Sequence, residues 1–193
     1  METLNLTECK NALDELKRDS QENQKKGLPF MMASVVIWGM ILGVRLLDRN
    51  IVTLNMYTFF CSCYLMPLAW IFSKLIKANS FRKSNNPIDK LGFLCTMNQT
   101  LYLIIVMWAY NQKPEGMLML YAIVFGAHLL PFGWIYDSVS YKFASVVEAI
   151  GALLIFFKWG NVPMVAFIIA MQIYFSLPYV MYYLFRLKSL CSI

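Results

Sequence analysis

Six long, predominantly apolar runs occupy most of this 193-residue sequence and leave few folds open to it. Most are close to the ~20 residues that an α-helix needs to cross about 30 Å of hydrocarbon. With 59% hydrophobic and 15% charged residues, the chain is too apolar for a soluble domain of its length. The sequence therefore predicts an all-α membrane bundle of six transmembrane helices, at residues 28–47, 51–76, 91–110, 116–136, 143–157 and 163–185.

Two of these runs depart from the length that a bilayer favours. The fifth run is short, so we expect either local thinning of the bilayer or a helix that begins nearer Val139. The second run is long, so we expect that helix to be tilted.

Lysines and arginines are distributed unevenly between the two ends of the predicted bundle. If the N-terminus is cytoplasmic, thirteen of the seventeen lie on the cytoplasmic side, and the outer side holds only Arg45, Arg49, Lys113 and Lys158. This excess follows the positive-inside rule, and an even number of helices returns the tail, residues 186–193, to the same side. Most of the net charge of +6 is explained by this topology, so no nucleic acid partner is expected.

Residues 1–27 are polar and contain no short apolar segment of the kind that a signal peptide requires. One apolar stripe of helical spacing runs through them: Leu6, Cys9, Leu13 and Leu16. We expect a cytoplasmic amphipathic helix followed by a tether. Its stripe would dock on the bundle or on a protein partner, or the helix would remain solvated.

The most polar residues of several predicted helices lie at similar depths. At about 1.5 Å per residue, His128 lies ~12 Å from the end of the fourth run and Glu148 ~8–13 Å from the start of the fifth. Asn98 and Gln99 lie ~11–12 Å from the start of the third run, and Gln172 of the sixth run lies near mid-bilayer. We predict a polar tier in the cytoplasmic half, with Glu148 pointing inward and His128 as its partner.

Two interpretations of this tier are open. As a functional site it would be a proton relay or a polar ligand site, with His128 exchanging protons and Glu148 balancing its charge or setting its tautomer. As a structural element it would be a satisfied polar clasp that fixes the register of the helices. Solvent access to the tier distinguishes the two.

Three prolines lie inside the predicted helices. Pro131 lacks a backbone N–H and therefore frees the carbonyl of Ala127, beside His128. Pro67 and Pro178 should kink the second and sixth helices in the same way. Such kinks can shape a cavity, although prolines are ordinary in membrane helices.

The first run contains a G-x-x-x-G pattern at Gly39 and Gly43. Glycines at this spacing let another helix approach closely, and we expect that partner to be a helix of the same bundle rather than a second copy. Arg45 follows near the outer boundary, where its long side chain could extend to the interface.

Patterns that indicate catalysis or metal binding are missing from the sequence. It contains no H-E-x-x-H, G-x-S-x-G or G-x-x-x-x-G-K motif. His128 is the only histidine, and the five cysteines show no C-x-x-C spacing, so neither a metal nor another cofactor is expected. A membrane enzyme is the less favoured interpretation and would need Glu148 or Asp137 in a water-filled cleft.

Two stretches carry a family resemblance: KKGLPF at 25–30 with ASVVIW at 33–38, and HLLPFGWIY at 128–136 leading to Ser138 and Tyr141. Together they resemble an uncharacterised bacterial domain-of-unknown-function family of small multi-span membrane proteins. The resemblance implies a location in the bacterial cytoplasmic membrane and brings no known activity with it.

The resulting functional hypothesis is an integral membrane protein that binds or conducts a small molecule or ion at the polar tier. The alternative is a non-catalytic structural or regulatory membrane subunit that acts through residues 1–27. The lipid bilayer is a partner in either case.

Overall fold

The computed structural model describes residues 5–81 and 84–191, and within these residues the chain is helical and contains no strand. Short 3₁₀ turns, Lys25–Gly27 and Pro114–Gly116, precede two of the helices. The helices are α1 (Leu6–Gln24), α2 (Leu28–Arg45), α3 (Ile51–Cys63), α4 (Leu65–Leu75), α5 (Pro87–Gln112), α6 (Met117–Ile135), α7 (Val139–Trp159) and α8 (Asn161–Cys191).

Six helical stretches among the described residues are long and apolar enough to cross a membrane: Leu6–Arg45, Ile51–Leu75, Pro87–Gln112, Pro114–Ile135, Val139–Trp159 and Asn161–Tyr183. Their outward faces carry many large apolar side chains, including Phe157 and Tyr174. A helical bundle with such an exterior is typical of proteins that lie in a bilayer, where no polar outer surface is needed.

The second apolar run forms two helices rather than one. α3 ends at Cys63 and α4 begins at Leu65, with Tyr64 between them. The break lies one turn before Pro67, which has no N–H to donate to the carbonyl of Cys63 and whose ring crowds that carbonyl. Pro131 and Pro178, by contrast, lie inside the continuous helices α6 and α8.

The helices pack unevenly. α6 and α7 form the most extensive contact, α2 packs against α4 and α8, and α8 also packs against α7. The main core cluster lies among these helices, where Trp38 is buried against the rings of Tyr121 and Phe125 at centroid distances of 5.6 Å. α5 is peripheral: its main contacts are with α6 and α1, and only 6% of its most apolar stretch is buried.

A left-handed turn separates α1 from α2. Lys25, Lys26 and Gly27 all have positive φ angles, between 50° and 70°, which ends α1 and kinks the chain before α2. A Cβ added at Gly27 would lie 3.0 Å from Cε2 of Tyr136. Both the conformation and the close approach therefore require glycine at position 27.

α1 is docked on one end of the bundle by hydrogen bonds. The hydroxyl of Ser20 and the side-chain amide of Gln24 each donate to Oδ1 of Asp89 at 2.6 Å. The Tyr136 hydroxyl donates to Oε1 of Gln24 at 2.8 Å, and the Tyr141 hydroxyl donates to the carbonyl oxygen of Lys26 at 2.6 Å. α1 and the turn after it are therefore held by the first turns of α5 and α7 and by the C-terminal end of α6.

The apolar stripe of α1 is divided between the bundle and the surface. Leu13 and Leu16 pack against the core cluster that contains Ile135. Leu6 and Cys9, at the start of the helix, are exposed. The stripe was expected to dock on the bundle, to dock on a protein partner or to remain solvated. Its second half docks on the bundle.

The replacement Asp89→Ala should loosen α1, because it removes the acceptor of two hydrogen bonds. Hydrogen bonds to charged groups contribute about 1.5–3 kcal/mol each, so amide exchange in residues 6–24 should accelerate by about tenfold or more. Hydrogen-exchange mass spectrometry measures this, with Asp14→Ala, an exposed aspartate of α1, as control. Equal exchange rates in the two variants would contradict the docking contact.

Candidate functional site

The centre of the bundle contains a buried polar cluster from three helices. Glu148 of α7 and Gln172 of α8 are both fully buried, at 0% exposed. Oε1 of Gln172 accepts a 2.8 Å hydrogen bond from the hydroxyl of Ser34 in α2. The amide of Gln172 lies close enough to the Glu148 carboxyl to interact with it. We call Ser34, Glu148 and Gln172 the Glu148 cluster.

Polar atoms of this cluster have unfilled hydrogen-bonding capacity. Among the described residues, neither carboxyl oxygen of Glu148 has a hydrogen-bond partner, and Nε2 of Gln172 has none either. The two side chains are near each other, but their separation and angles together do not meet the geometry of a hydrogen bond. Buried polar groups are nearly always satisfied, so three such atoms at one place are unusual for a buried cluster.

Close packing of α6 against α7 positions Glu148. A Cβ added at Gly126 would lie 2.9 Å from the backbone nitrogen of Ala149 and 3.1 Å from Cβ of Glu148. One residue further along α6, the carbonyl of Ala127 accepts a 3.4 Å hydrogen bond from the Ser145 hydroxyl of α7. This is the carbonyl that Pro131 leaves free in its own helix, so it is available to accept a hydrogen bond from α7.

His128 does not join the cluster. Its Nδ1 lies 3.2 Å from the carbonyl oxygen of Phe125 in the same helix, and its ring packs beside Phe125 and Phe132, at centroid distances of 6.0 and 5.1 Å. The expected His128–Glu148 hydrogen bond is not formed. The reason is helical geometry: two residues along a helix rotate the side chain by ~200°, so when Gly126 faces α7, His128 faces away.

The polar residues of α5 also lie apart from Glu148. Asn98 is exposed, and its Nδ2 donates to the hydroxyl oxygen of Tyr102 at 3.0 Å within α5. Gln99 is half-buried. Because α5 packs mainly on α6 and α1, equal depth does not bring these two side chains to α7 or α8. Of the four residues predicted to accompany Glu148, the structure brings Gln172 to it.

Gly39 and Gly43 lie on the exposed face of α2. A Cβ added at either glycine would meet no atom within 4 Å. The buried side of α2 instead carries Ile37, Trp38 and Ile41. The two glycines therefore do not mediate packing between helices of this chain.

A second polar cluster, which the sequence does not readily reveal, lies at the end of the bundle opposite α1. Arg45, expected at the interface, is only 8% exposed. Its Nη2 donates to Oδ1 of Asn55 at 2.7 Å and to Oγ1 of Thr58 at 3.1 Å. Nδ2 of Asn55 donates to the carbonyl oxygen of Pro114 at 2.8 Å. The sequence gives one indication of this cluster: Asn55 and Thr58 are three residues apart and therefore lie on one face of α3.

The Glu148 cluster offers one carboxyl group, one amide and one hydroxyl. In the part of the chain that the structure describes, no three histidine, cysteine or acidic side chains lie together in a way that could hold a metal ion. Oxygen groups of this kind are suited to a proton or to a hard cation that shares its ligands with water or backbone carbonyls.

Comparison with known proteins places the chain in a family. No curated protein and no solved structure shows significant similarity to it. The model of one family, described as a family of unknown function (DUF7010), matches residues 13–184, from the middle of α1 into the last part of α8. The match covers most of the chain, including all three helices of the Glu148 cluster. The chain therefore belongs to the DUF7010 family of unknown function.

Proposed function

We propose that this protein is an integral membrane protein that binds a proton or a small monovalent cation at the Glu148 cluster. One observation carries the proposal: both carboxyl oxygens of Glu148 are buried without a hydrogen-bond partner among the described residues. A charged carboxylate in such a place is too costly to remain uncompensated, so it must bind a proton or a cation. Gln172 and Ser34 supply the oxygen and amide groups beside it.

The membrane location is part of the proposal. It is supported by the six long apolar stretches and by the large apolar side chains on their outer faces. The excess of lysine and arginine at the α1 end favours a cytoplasmic position for that end. The resemblance to a bacterial family favours the bacterial cytoplasmic membrane.

Replacing Glu148 by glutamine tests the site. We expect infrared difference spectra of the purified protein in nanodiscs to show a carboxyl signal when pH or sodium concentration is changed, and this signal should be absent in Glu148→Gln. Glu115→Gln, which changes an exposed glutamate, is the matched control and should retain the signal. A signal that responds to pH alone identifies a proton site, and one that responds to sodium at fixed pH identifies a cation site.

Two outcomes would count against the proposal. If the spectra of wild type and Glu148→Gln are identical, Glu148 binds nothing and serves only packing. If the NMR resonances of the His128 ring move in Glu148→Gln as they do on acidification, the histidine is coupled to Glu148, contrary to the geometry described above.

The second candidate function is a regulatory or structural subunit that acts through residues 1–27. The observation that favours it is the exposed start of α1, where Leu6 is 88% exposed and Cys9 is also exposed. Leu13 and Leu16 are already packed on the bundle, so a partner would bind the first turns of α1. This function predicts an inert Glu148 cluster, and the infrared experiment therefore distinguishes the two candidates.

A further inference from the structure

Arg45 is a buried positive charge whose partners are all neutral. It lies at the last residue of α2 and is 8% exposed. Among the described residues, its hydrogen bonds run from Nη2 to Asn55 and Thr58. Among the described residues, neither Nε nor Nη1 has a hydrogen-bond partner, and no acidic side chain bonds to either. Because a guanidinium does not lose its proton in proteins, the charge persists, and among the described residues no acidic side chain pairs with it.

The neighbours hold this guanidinium in place without neutralising it. The Asn55 side chain is fixed at both ends, because its oxygen accepts from Arg45 and its nitrogen donates to the carbonyl of Pro114. The Thr58 hydroxyl donates to the carbonyl of Leu54, so its oxygen is left to accept from Arg45. Both partners are 0% exposed. The donors Nε and Nη1 are therefore preorganised for a further acceptor.

The surroundings favour an anion as that acceptor. Asn55 and Thr58 lie in the second turn of α3, and both offer oxygen atoms to the guanidinium but no negative charge. The residues after Arg45, 46–50, are all exposed, so the site adjoins the surface of the bundle. Asp48 and Glu115, the acids in the loops at this end, are exposed and make no bond to Arg45.

We propose that Arg45, Asn55 and Thr58 form a binding site for an oxyanion of the phosphate type, at the end of the bundle opposite α1. The planar donors of a guanidinium match phosphate oxygens in geometry and charge. In a bilayer the end of a spanning helix lies at the depth of the lipid headgroups, so the phosphate would come from an anionic lipid or from solution. This site is separate from the Glu148 cluster and does not depend on it.

The test measures thermal unfolding of delipidated protein in a maltoside detergent, which contains no phosphate. Inorganic phosphate is titrated in one arm, and mixed micelles containing phosphatidylglycerol are used in the other. We expect at least one of them to raise the unfolding midpoint by a few degrees in wild type but not in Arg45→Gln. Because phosphate salts stabilise proteins in general, only the part of the shift that depends on Arg45 counts.

Arg49→Gln, which replaces an exposed arginine of the following loop, is the matched control and should behave as wild type. A shift with free phosphate identifies a soluble anion, and a shift with phosphatidylglycerol alone identifies a lipid headgroup. If neither ligand gives a shift that Arg45→Gln abolishes, the proposal is overturned.

Two further variants keep the test decisive if Arg45→Gln does not fold. Arg45→Lys keeps the charge but loses the planar donor set, and Thr58→Val removes one group that orients the guanidinium while keeping the side-chain volume. Each should weaken binding of ³²P-labelled phosphate, or the effect of phosphatidylglycerol, by about tenfold or more. Unchanged binding in both variants would overturn the proposal.

Discussion

Replacing Gly126 by alanine is expected to destabilise the bundle by about 1–3 kcal/mol, the usual cost of overpacking a close contact. The added Cβ would lie 2.9 Å from the backbone nitrogen of Ala149 and 3.1 Å from Cβ of Glu148. Neither atom belongs to the far end of a flexible side chain, so α6 and α7 must move apart. Alanine favours a helix over glycine by about 1 kcal/mol, and the steric cost must exceed this gain. Thermal or denaturant-induced unfolding in detergent measures the difference.

The same substitution at Gly39 is the matched control, because it adds the same methyl group to another helical glycine. Nothing lies within 4 Å of a Cβ at this position, so Gly39→Ala should be neutral or stabilise the protein by up to about 1 kcal/mol. A loss of stability at Gly39 but not at Gly126 would mean that the exposed face of α2, and not the α6–α7 contact, is the tightly packed one.

Replacing Asn55 by alanine is expected to lower the free energy of unfolding by about 2–3 kcal/mol. The reason is that the buried guanidinium of Arg45 loses the shorter of its two hydrogen bonds. Oδ1 of Asn55 lies 2.7 Å from Nη2 of Arg45, and its Nδ2 holds the carbonyl of Pro114. The substitution therefore breaks the link between α2, α3 and the turn before α6. It also leaves Thr58 as the only hydrogen-bond partner of Arg45 among the described residues.

Asn111→Ala is the control for this experiment. Asn111 is exposed in α5, and its Nδ2 donates to the carbonyl of Met107 in the same helix at 3.0 Å. Its removal should change the free energy of unfolding by no more than about 0.5 kcal/mol. Equal effects of the two substitutions would show that Asn55 does not support a buried charge.

Hydrophobic length predicts the long helices well, because each must supply an apolar stretch of the same minimum length. The start of the fifth run is an instructive case: α7 begins at Val139, before the apolar stretch at 143, and so gains the length to cross a bilayer. The second run shows the limit of this kind of prediction. The length of an apolar run does not reveal that the helix breaks at Tyr64, one turn before Pro67.

The candidate site shows why depth alone is insufficient to predict contacts. Counting residues along a helix gives the height of His128, Asn98 and Glu148, but contact also depends on the direction in which each side chain points. Gly126 fixes that direction for α6, and the peripheral position of α5 fixes it for Asn98. Both are properties of helix packing, which one sequence does not show.

Arg45 illustrates a different error: the sequence predicts that its side chain extends to the interface, whereas the structure buries it. A long basic side chain near the end of a spanning helix is expected to reach water, because this avoids the cost of desolvation. Here Asn55 and Thr58 offer acceptors inside the bundle, one turn apart on the next helix, and the side chain turns inward to them. Sequence spacing identifies such acceptors only when the packing of α2 on α3 is known.

The docking of α1 has a consequence for the order in which the protein assembles. A ribosome makes α1 before the residues that hold it, because Asp89, Tyr136 and Tyr141 are made 65 to 115 residues after the groups of α1 and its turn that they bind. α1 therefore gains these partners in stages: Asp89 comes with the start of α5, whereas Tyr136 and Tyr141 come only after α6 has been made. Its complete docking therefore requires the start of α5, the end of α6 and the start of α7 to have been brought together.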